Sequence, residues 1–449
     1  MRKISKISLV AAVAVAGFST ANAQPLEEAI KNVDVSGSVV YRYDNAGEGR
    51  VVNTTTGQRD TTDRNRYKVG LNLSSKVNDY VKFNSRFIVG GADSGWATTG
   101  AKKNGTNGYT GNNRNGDGNV EVALSNAYFG FTAIPNTIVN VGKQGLTTPY
   151  TVAVDINGNE QNGTGILALS TFGPITAGAG YFNNTNVENL SDINAARGLR
   201  STGNTGNIAD LNLDAGRDMY VATVQGDLDF VKLEAWYAGL QNTFNSYTFA
   251  ATSKIDIAEN AKLGLEARYV ALNLTDDYVY MRNNHQVHGN AVSSGPANNR
   301  GTDNGMFRLA VDGKFSIVNA RLAYTKTDKE GGLTALDQDA KNTSLGWNIT
   351  SNGYADADYF QAALGVDILD NLNFTAHYGN LSSDTQSAGT KFVGLSNTKA
   401  EEIYGQLTYK MSKNLSTYLR YGNYEEKQKS TGIKQVDQDM GRLQVAYTF

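Results

Sequence analysis

The sequence GRLQVAYTF, residues 441–449, alternates strictly between apolar side chains and polar or small ones. Its larger apolar members share one face of an extended strand: Leu443, Val445, Tyr447 and Phe449. Because Phe449 belongs to that face, we expect the strand to be ordered to its last residue. The pattern predicts a sheet with one apolar face and one polar face.

The same period of two runs through most of the chain after Val33. Examples are VDVSGSVVYRYD at 33–44, VKFNSRFIV at 81–89, KLGLEARY at 262–269 and STYLRYG at 416–422. Each segment is about as long as a tilted β-strand that crosses a lipid bilayer. The 24 tyrosines and 16 phenylalanines fit the two aromatic girdles of a membrane barrel.

The connections between these segments alternate in length. Short ones such as IPN, GP, AEN and LDN separate long polar stretches, which span 45–65, 93–119, 147–163, 184–216, 274–304, 328–357 and 382–399. The sequence therefore predicts an all-β fold, an antiparallel transmembrane β-barrel of about 18 strands with short periplasmic turns and long extracellular loops. We expect the last strand to pair with the first, because lipid does not tolerate an open sheet edge.

The N-terminus carries the features of a secretory signal peptide. Basic residues at positions 2, 3 and 6 precede a short apolar run, and ANA at 21–23 forms a small-residue cleavage site. We expect residues 1–23 to be removed and residues 24–449 to form a single barrel domain in the bacterial outer membrane. Three of the 41 basic residues lie in the signal, which leaves 38 Lys and Arg against 43 Asp and Glu, a net charge of −5.

Composition and motifs argue against several other classes of function. A mildly acidic chain without clustered Lys or Arg is not expected to bind nucleic acid. The absence of cysteine excludes disulfides and thiolate metal sites. No G-x-S-x-G motif or triad pattern accompanies the three histidines, so an enzyme is not expected.

Three segments resemble a known family. PLEEAIKNVDVSGSVVYRYD at 25–44, GKQ at 142–144 and RLQVAYTF at 442–449 are similar to the major outer-membrane porin of Campylobacter-type (epsilon-class) bacteria. The resemblance implies a homotrimeric, cation-preferring diffusion channel with a calcium ion at its constriction. It also implies that Tyr447 and Phe449 belong to the signal that the assembly machinery reads. The expected partners are ions, small hydrophilic solutes, outer-membrane lipid and lipopolysaccharide.

Several bases fall on the polar, inward-facing side of neighbouring strands: Arg42, Arg66, Lys68, Lys82, Arg86, Arg420 and Arg442. The inward assignment is favoured because Lys or Arg facing lipid at mid-membrane costs ~2–4 kcal/mol. These strands become neighbours when the barrel closes. We therefore expect a basic strip along one wall of the lumen.

The loop Thr147–Gly163 follows the fifth predicted strand, where many porins fold a loop into the lumen. Asp155 and Glu160 are its two acids. Opposite the basic strip, they would set up a transverse field that orients dipolar solutes. The alternative is that both acids lie on a solvated loop surface. These two acids and the seven bases are the predicted pore constriction.

The residues themselves neither establish nor exclude a calcium site. DINGNE at 155–160 supplies oxygen ligands of the kind that Ca²⁺ prefers, Asp155 among them, although no cofactor is required for the predicted channel. The segment does not match an EF-hand, and Val152 and Ala153 stand where the similar family carries a further acid. A site at Asp155 would also need acids from the barrel wall, such as Glu121, Glu234 or Glu266.

Two other functions stay open, a substrate-specific outer-membrane channel and a surface adhesin or structural barrel with little transport role. Specific channels line the lumen with aromatic rings or one-sided charge, and Trp236 and Tyr418 are predicted to face inward. A barrel of about 18 strands leaves an aqueous channel unless something fills it. We therefore expect a general diffusion porin, mildly cation-selective and narrowed by an inward-folded third loop.

Overall fold

The computed structural model describes residues 33–53, 58–91, 95–99, 120–156, 158–187, 218–275, 303–329, 331–384 and 397–449. The predicted signal peptide, residues 1–23, lies outside these ranges. No helix in the described ranges is long and apolar enough to cross a membrane. The described strands are β1 (Val33–Asn53), β2 (Gln58–Asn78), β3 (Val81–Gly90), β4 (Ala97–Thr99), β5 (Glu121–Phe131), β6 (Thr137–Gly145), β7 (Asn162–Phe172), β8 (Ile175–Thr185), β9 (Met219–Leu228), β10 (Val231–Leu240), β11 (Phe244–Ala258), β12 (Ala261–Leu274), β13 (Asp303–Phe315), β14 (Val318–Thr327), β15 (Ala357–Leu369), β16 (Leu372–Ser383), β17 (Thr398–Lys410), β18 (Leu415–Gln428) and β19 (Lys434–Thr448).

Eighteen of these strands close into one antiparallel barrel, and the short β4 pairs with β2 beside it. The ring closes at β1, where Val39 lies opposite Val69 of β2 on one side and Tyr447 of β19 on the other. Gly37 and Phe449 exchange two backbone hydrogen bonds, of 2.9 and 3.1 Å, at the end of this seam. The predicted eighteen-stranded antiparallel barrel is confirmed.

The connections at one end of the barrel are short turns, as the sequence predicts. Gly173 and Pro174 alone join β7 to β8, and Ser316 and Ile317 alone join β13 to β14. Ser316 has a φ of +53°, as hairpin turns of this length require. One difference concerns the stretch 45–65, which the sequence predicts as loop. There β1 and β2 extend to 21 residues each and stay paired, because backbone hydrogen bonding does not need apolar side chains.

The outer face of the barrel carries the apolar side chains of the alternating pattern, for example Phe249, which is 56% exposed. Inward positions of β8–β12 are apolar as well, including Phe182, Val221 and Leu272. They pack against residues of two loops that lie inside the barrel. These are the third loop, residues 146–161 between β6 and β7, and the seventh loop, residues 331–354 between β14 and β15.

Candidate pore constriction

The third loop folds into a compact turn inside the barrel. Its ends meet where the backbone N–H of Leu146 donates to the carbonyl of Gln161 at 2.9 Å. The carboxylate of Asp155 accepts hydrogen bonds from the backbone N–H of Asn159 at 2.6 Å and from its side-chain amide at 3.0 Å. Gly158 has a φ of +77°, which glycine adopts without steric cost. Asp155 thus shapes the loop in addition to carrying a charge.

Glu160 joins the third loop to the barrel wall through a buried ion cluster. Its side chain is 1% exposed, and Oε1 lies 2.9 Å from Nη2 of Arg86 and 3.3 Å from Nζ of Lys68. The hydroxyl of Ser125 donates to Oε2. Removing one partner of such a buried pair costs about 3–5 kcal/mol, because the other charges stay buried without compensation. Glu160 therefore fastens the loop to β2 and β3.

Two of the predicted bases hold the tip of the third loop by its backbone. Arg42 is fully buried and donates from Nη2 to the carbonyl of Ile156 at 2.8 Å, while Lys68 donates to the carbonyl of Gly158. The guanidinium of Arg42 also lies 4.7 Å from the ring centre of Trp96. Of the seven predicted bases, Arg42, Lys68 and Arg86 meet on this loop.

Arg66 and Arg442 flank a different carboxylate, that of Asp44 on β1. Nε of Arg442 lies 2.5 Å from Oδ1 of Asp44, and Arg66 pairs with Oδ2. The sequence prediction did not include Asp44. A signal for it was present, because Asp44 is two residues from Arg42 in an alternating strand and so shares its inward face.

The two remaining predicted bases lie apart from both loop acids. Arg420 donates to Gln406 at 2.6 and 2.9 Å, and its guanidinium lies 4.9 Å from the ring centre of Tyr404 and 5.1 Å from that of Trp347. Lys82 is exposed near the short turn between β2 and β3, opposite Lys76. The structure therefore does not bring Arg420 or Lys82 to Asp155 or Glu160.

The seventh loop also folds into the barrel, whereas the sequence prediction placed it outside. It hydrogen-bonds to the third loop, from the N–H of Leu336 to the carbonyl of Tyr150 at 2.8 Å and from the N–H of Asn342 to that of Pro149 at 2.9 Å. At its far end, Glu402 of β17 accepts hydrogen bonds of 2.8 Å from the backbone N–H groups of two consecutive residues, Trp347 and Asn348. Its polar composition suits the inside of a barrel, because the buried polar groups find partners there.

The seventh loop brings two further acids towards the third loop. Oδ2 of Asp339 accepts a hydrogen bond from the backbone N–H of Ile156 at 2.7 Å, and burial raises the pKa of Asp339. Asp337 is fully buried. Burial, together with the nearby carboxylates of Asp155 and Asp339, raises the pKa of Asp337 to about 8. The predicted acid Asp155 therefore lies among other carboxylates, while Glu160 lies among bases.

These carboxylates bear on the calcium that the resemblance implies. Asp155 and Asp337 offer the hard oxygen ligands that Ca²⁺ takes, and their mutual repulsion favours a bound cation. Glu160 does not fit, because two bases and a hydroxyl already occupy its oxygens. Among the described residues no three acidic or histidine side chains come close enough to hold a metal ion together. A bound calcium would need carbonyl oxygens or water to complete its coordination.

A family model for the Campylobacter major outer membrane protein matches residues 1–449. The chain belongs to this family. The match confirms the resemblance seen at 25–44, 142–144 and 442–449. No curated protein matches the chain.

Solved structures with the same fold include three outer-membrane proteins. OccAB2 of Acinetobacter baumannii is 16% identical with a TM-score of 0.65, over 93% of this chain and 98% of that one. OpdK of Pseudomonas aeruginosa with vanillate is 15% identical with a TM-score of 0.63, over 93% and 98%. OprD of Pseudomonas aeruginosa is 15% identical with a TM-score of 0.62, over 92% and 93%.

This member of the Campylobacter major outer membrane protein family is thus an outer-membrane porin. Its barrel has the fold of the OccAB2 and OprD structures. Family and fold together point to a channel rather than an enzyme.

Proposed function

We propose that the porin is a general diffusion channel that passes ions and small hydrophilic solutes down their gradients. The observation that carries the proposal is the anchoring of the third loop inside the barrel. Arg42 and Lys68 hold the loop backbone, and Arg86 holds Glu160. An eighteen-stranded barrel would otherwise leave a wide aqueous lumen, so the third and seventh loops together narrow the passage.

A mild preference for cations follows from the balance of charges around the loops. Wall bases pair with carboxylates, Arg66 and Arg442 with Asp44, and Lys68 with Glu160. Asp339 on the seventh loop makes no ion pair with a base in the described part of the chain. The net charge of −5 predicted for the mature chain acts in the same direction. The inward bases keep the preference small.

A substrate-specific channel is the second candidate, and one cluster of side chains favours it. Trp347, Tyr404 and Tyr418 surround the guanidinium of Arg420, with ring centres 4.9–5.5 Å from it. His377 stacks on Tyr404 with ring centres 4.5 Å apart. Such a surface can bind planar, anionic solutes. A channel of this kind would show saturable block by one solute class, whereas a general channel passes solutes according to size.

The assembly and the ion remain proposals as well. From the family we propose a homotrimer surrounded by outer-membrane lipid and lipopolysaccharide, with Tyr447 and Phe449 in the assembly signal. Tyr447 lies on the exposed outer face of β19, and Phe449, which follows the end of that strand, is exposed as well. We also propose that Asp155 and Asp337 would hold a calcium ion, which would cross-link the third and seventh loops. Calcium should then raise the unfolding temperature of the wild type but not that of Asp337→Asn.

The experiment that tests the function is the conductance of the purified porin in a planar bilayer, with the reversal potential measured under a salt gradient. Large current steps in groups of three with a mild cation preference would support the trimeric diffusion channel. A folded, heat-modifiable barrel without conductance would overturn it. Saturable block by a planar anion would favour the specific channel instead.

A further inference from the structure

A recess of about 470 Å³ lies in the lumen, on the wall formed by β10–β13. Its inward side chains come from these four strands and from Lys341 of the seventh loop, and it reaches the short turn at Asp229 and Phe230. Ala250 and Gly264 are small inward residues of this wall, and they lie opposite Arg268 and Lys254 across the β11–β12 pair.

The lining of the recess has an excess of positive charge. Five bases contribute to it: Lys232, Lys254, Arg268, Arg308 and Lys341. Three acids oppose them: Asp229, Glu234 and Glu266. The recess is separate from the third-loop anchor, whose bases lie on β1–β3. None of its bases belongs to the strip that the sequence predicts.

Two arginines form the inner side of the recess. Arg268 and Arg308 lie directly opposite each other on β12 and β13, an arrangement that is unfavourable for like charges. Glu266 bridges them, with Oε1 3.1 Å from Nε of Arg268 and 2.6 Å from Nη2 of Arg308. Arg308 is 8% exposed, and its buried Nε donates to no acceptor among the described residues. One carboxylate therefore bridges two buried guanidinium groups. Arg308 also donates to the backbone carbonyls of Lys341 and Thr343.

Two lysines at the rim are able to reach a solute. Lys254 is exposed and makes no ion pair with an acid in the described part of the chain. Lys341 is 64% exposed at its side chain, and its Nζ lies 3.6 Å from Oε1 of Glu234, a loose contact. Flexible ammonium groups beside a guanidinium pair suit the oxygen atoms of a carboxylate or phosphate group.

We propose that this recess is a binding site for small divalent oxyanions, dicarboxylates or inorganic phosphate, that enter from the periplasmic end. Such a solute is far smaller than the recess and would complement its lining, in which bases outnumber acids, although Lys232 also pairs with Asp227 at 2.6 Å beside it. The inference rests on the proposed function in one respect only, which is that solutes have access to the lumen. The site would hold anions within a channel that prefers cations, and so would slow their passage.

Isothermal titration calorimetry tests the site without a current measurement. The full-length porin in detergent is titrated with succinate, and separately with phosphate, at constant ionic strength. We expect saturable one-to-one binding to the wild type, and about tenfold weaker binding to Lys254→Gln/Lys341→Gln. Lys314→Gln is the matched control, because Lys314 is an exposed lysine at the same end of the barrel that does not line the recess.

Absence of saturable binding to the wild type would overturn the site, and so would an equal loss in Lys314→Gln, which would indicate a general effect of lumen charge. Binding of succinate alone would identify carboxylate solutes, and binding of phosphate alone would identify phosphate. A porin that binds succinate but does not conduct would contradict the diffusion channel and leave the site intact.

Discussion

The two inward loops are held in different ways. The third loop is fastened by charge, with Glu160 buried between Lys68 and Arg86. The seventh loop is fastened at several separate points, by backbone N–H groups on Glu402 and by apolar packing of Trp347. Arg308 also donates to two backbone carbonyls of this loop, at 2.5 and 2.9 Å. Removing one member of a buried ion cluster costs more than removing one hydrogen-bond acceptor. The third loop therefore depends on single residues more strongly than the seventh loop does.

The largest effect is expected for Glu160→Gln. The substitution keeps the size of the side chain but leaves Lys68 and Arg86 buried without a counter-charge, so we expect the third loop to lose about 3–5 kcal/mol of anchoring free energy. Single-channel conductance and current noise should both rise. Glu121→Gln, an exposed acid at the start of β5, is the control. Equal conductance in Glu160→Gln and wild type would show that this cluster does not hold the loop.

A smaller effect is expected for Glu402→Gln on β17, which removes a charged acceptor from the seventh loop. One backbone N–H group loses its charged acceptor, which costs about 1.5–3 kcal/mol, while apolar packing still holds the loop. Trp347 should become more accessible to a fluorescence quencher. The neighbouring Glu401→Gln serves as control, because Glu401 is exposed and contacts Asn380. If Glu402→Gln opened the channel more than Glu160→Gln does, the comparison between the loops would be reversed.

The wall bases are tested by Arg42→Ala combined with Arg442→Ala. Two positive charges are lost from the lumen, so we expect the cation-to-anion permeability ratio to rise about two- to fivefold. The reversal potential under a salt gradient measures this ratio. Lys82→Ala should change it less, because Lys82 lies near the periplasmic turn. An unchanged reversal potential in the double variant would remove these arginines from the permeation path.

The smallest effect is expected for Asp155→Asn. The asparagine oxygen can still accept the hydrogen bond from the N–H of Asn159, so the loop should keep its shape while it loses one charge. Cation preference should weaken. The change in the cation-to-anion permeability ratio should be roughly half that expected for the double variant, because one charge is removed instead of two. If the reversal potential of this variant equals that of the wild type, Asp155 does not act on permeating ions.

The sequence was sufficient to predict the barrel because alternation and turn length are local signals. It also predicted that the loop with Asp155 and Glu160 and the strands with Arg42, Lys68 and Arg86 contain the charged residues that the structure brings together. The pairing of individual charged side chains was not predictable, because it depends on the register of the strands and on the position of each residue along the barrel axis. Arg420, for example, meets aromatic rings instead of an acid.

The position of the seventh loop inside the barrel could not be predicted from the sequence either. A stretch rich in Gly, Asn, Ser and Thr has the composition of an exposed loop, and the same polar groups are satisfied equally well inside a barrel. The apolar inward residues of β8–β12 were the available hint. Val221 faces inward because loop residues such as Leu146 and Leu333 pack on the same wall.

The contact of Asp44 with Arg442 has a consequence for how each barrel is assembled. Asp44 joins β1 to β19 through Arg442, which is 398 positions away in the chain, so this contact cannot form until nearly the whole polypeptide has reached the membrane. Contacts between residues so distant in sequence form late in folding. One carboxylate thus contributes both to the seam that closes the newly made barrel and to the charge of its interior. A substitution at Asp44 would therefore alter the charge of the lumen and, at the same time, a contact made in the last step of barrel closure.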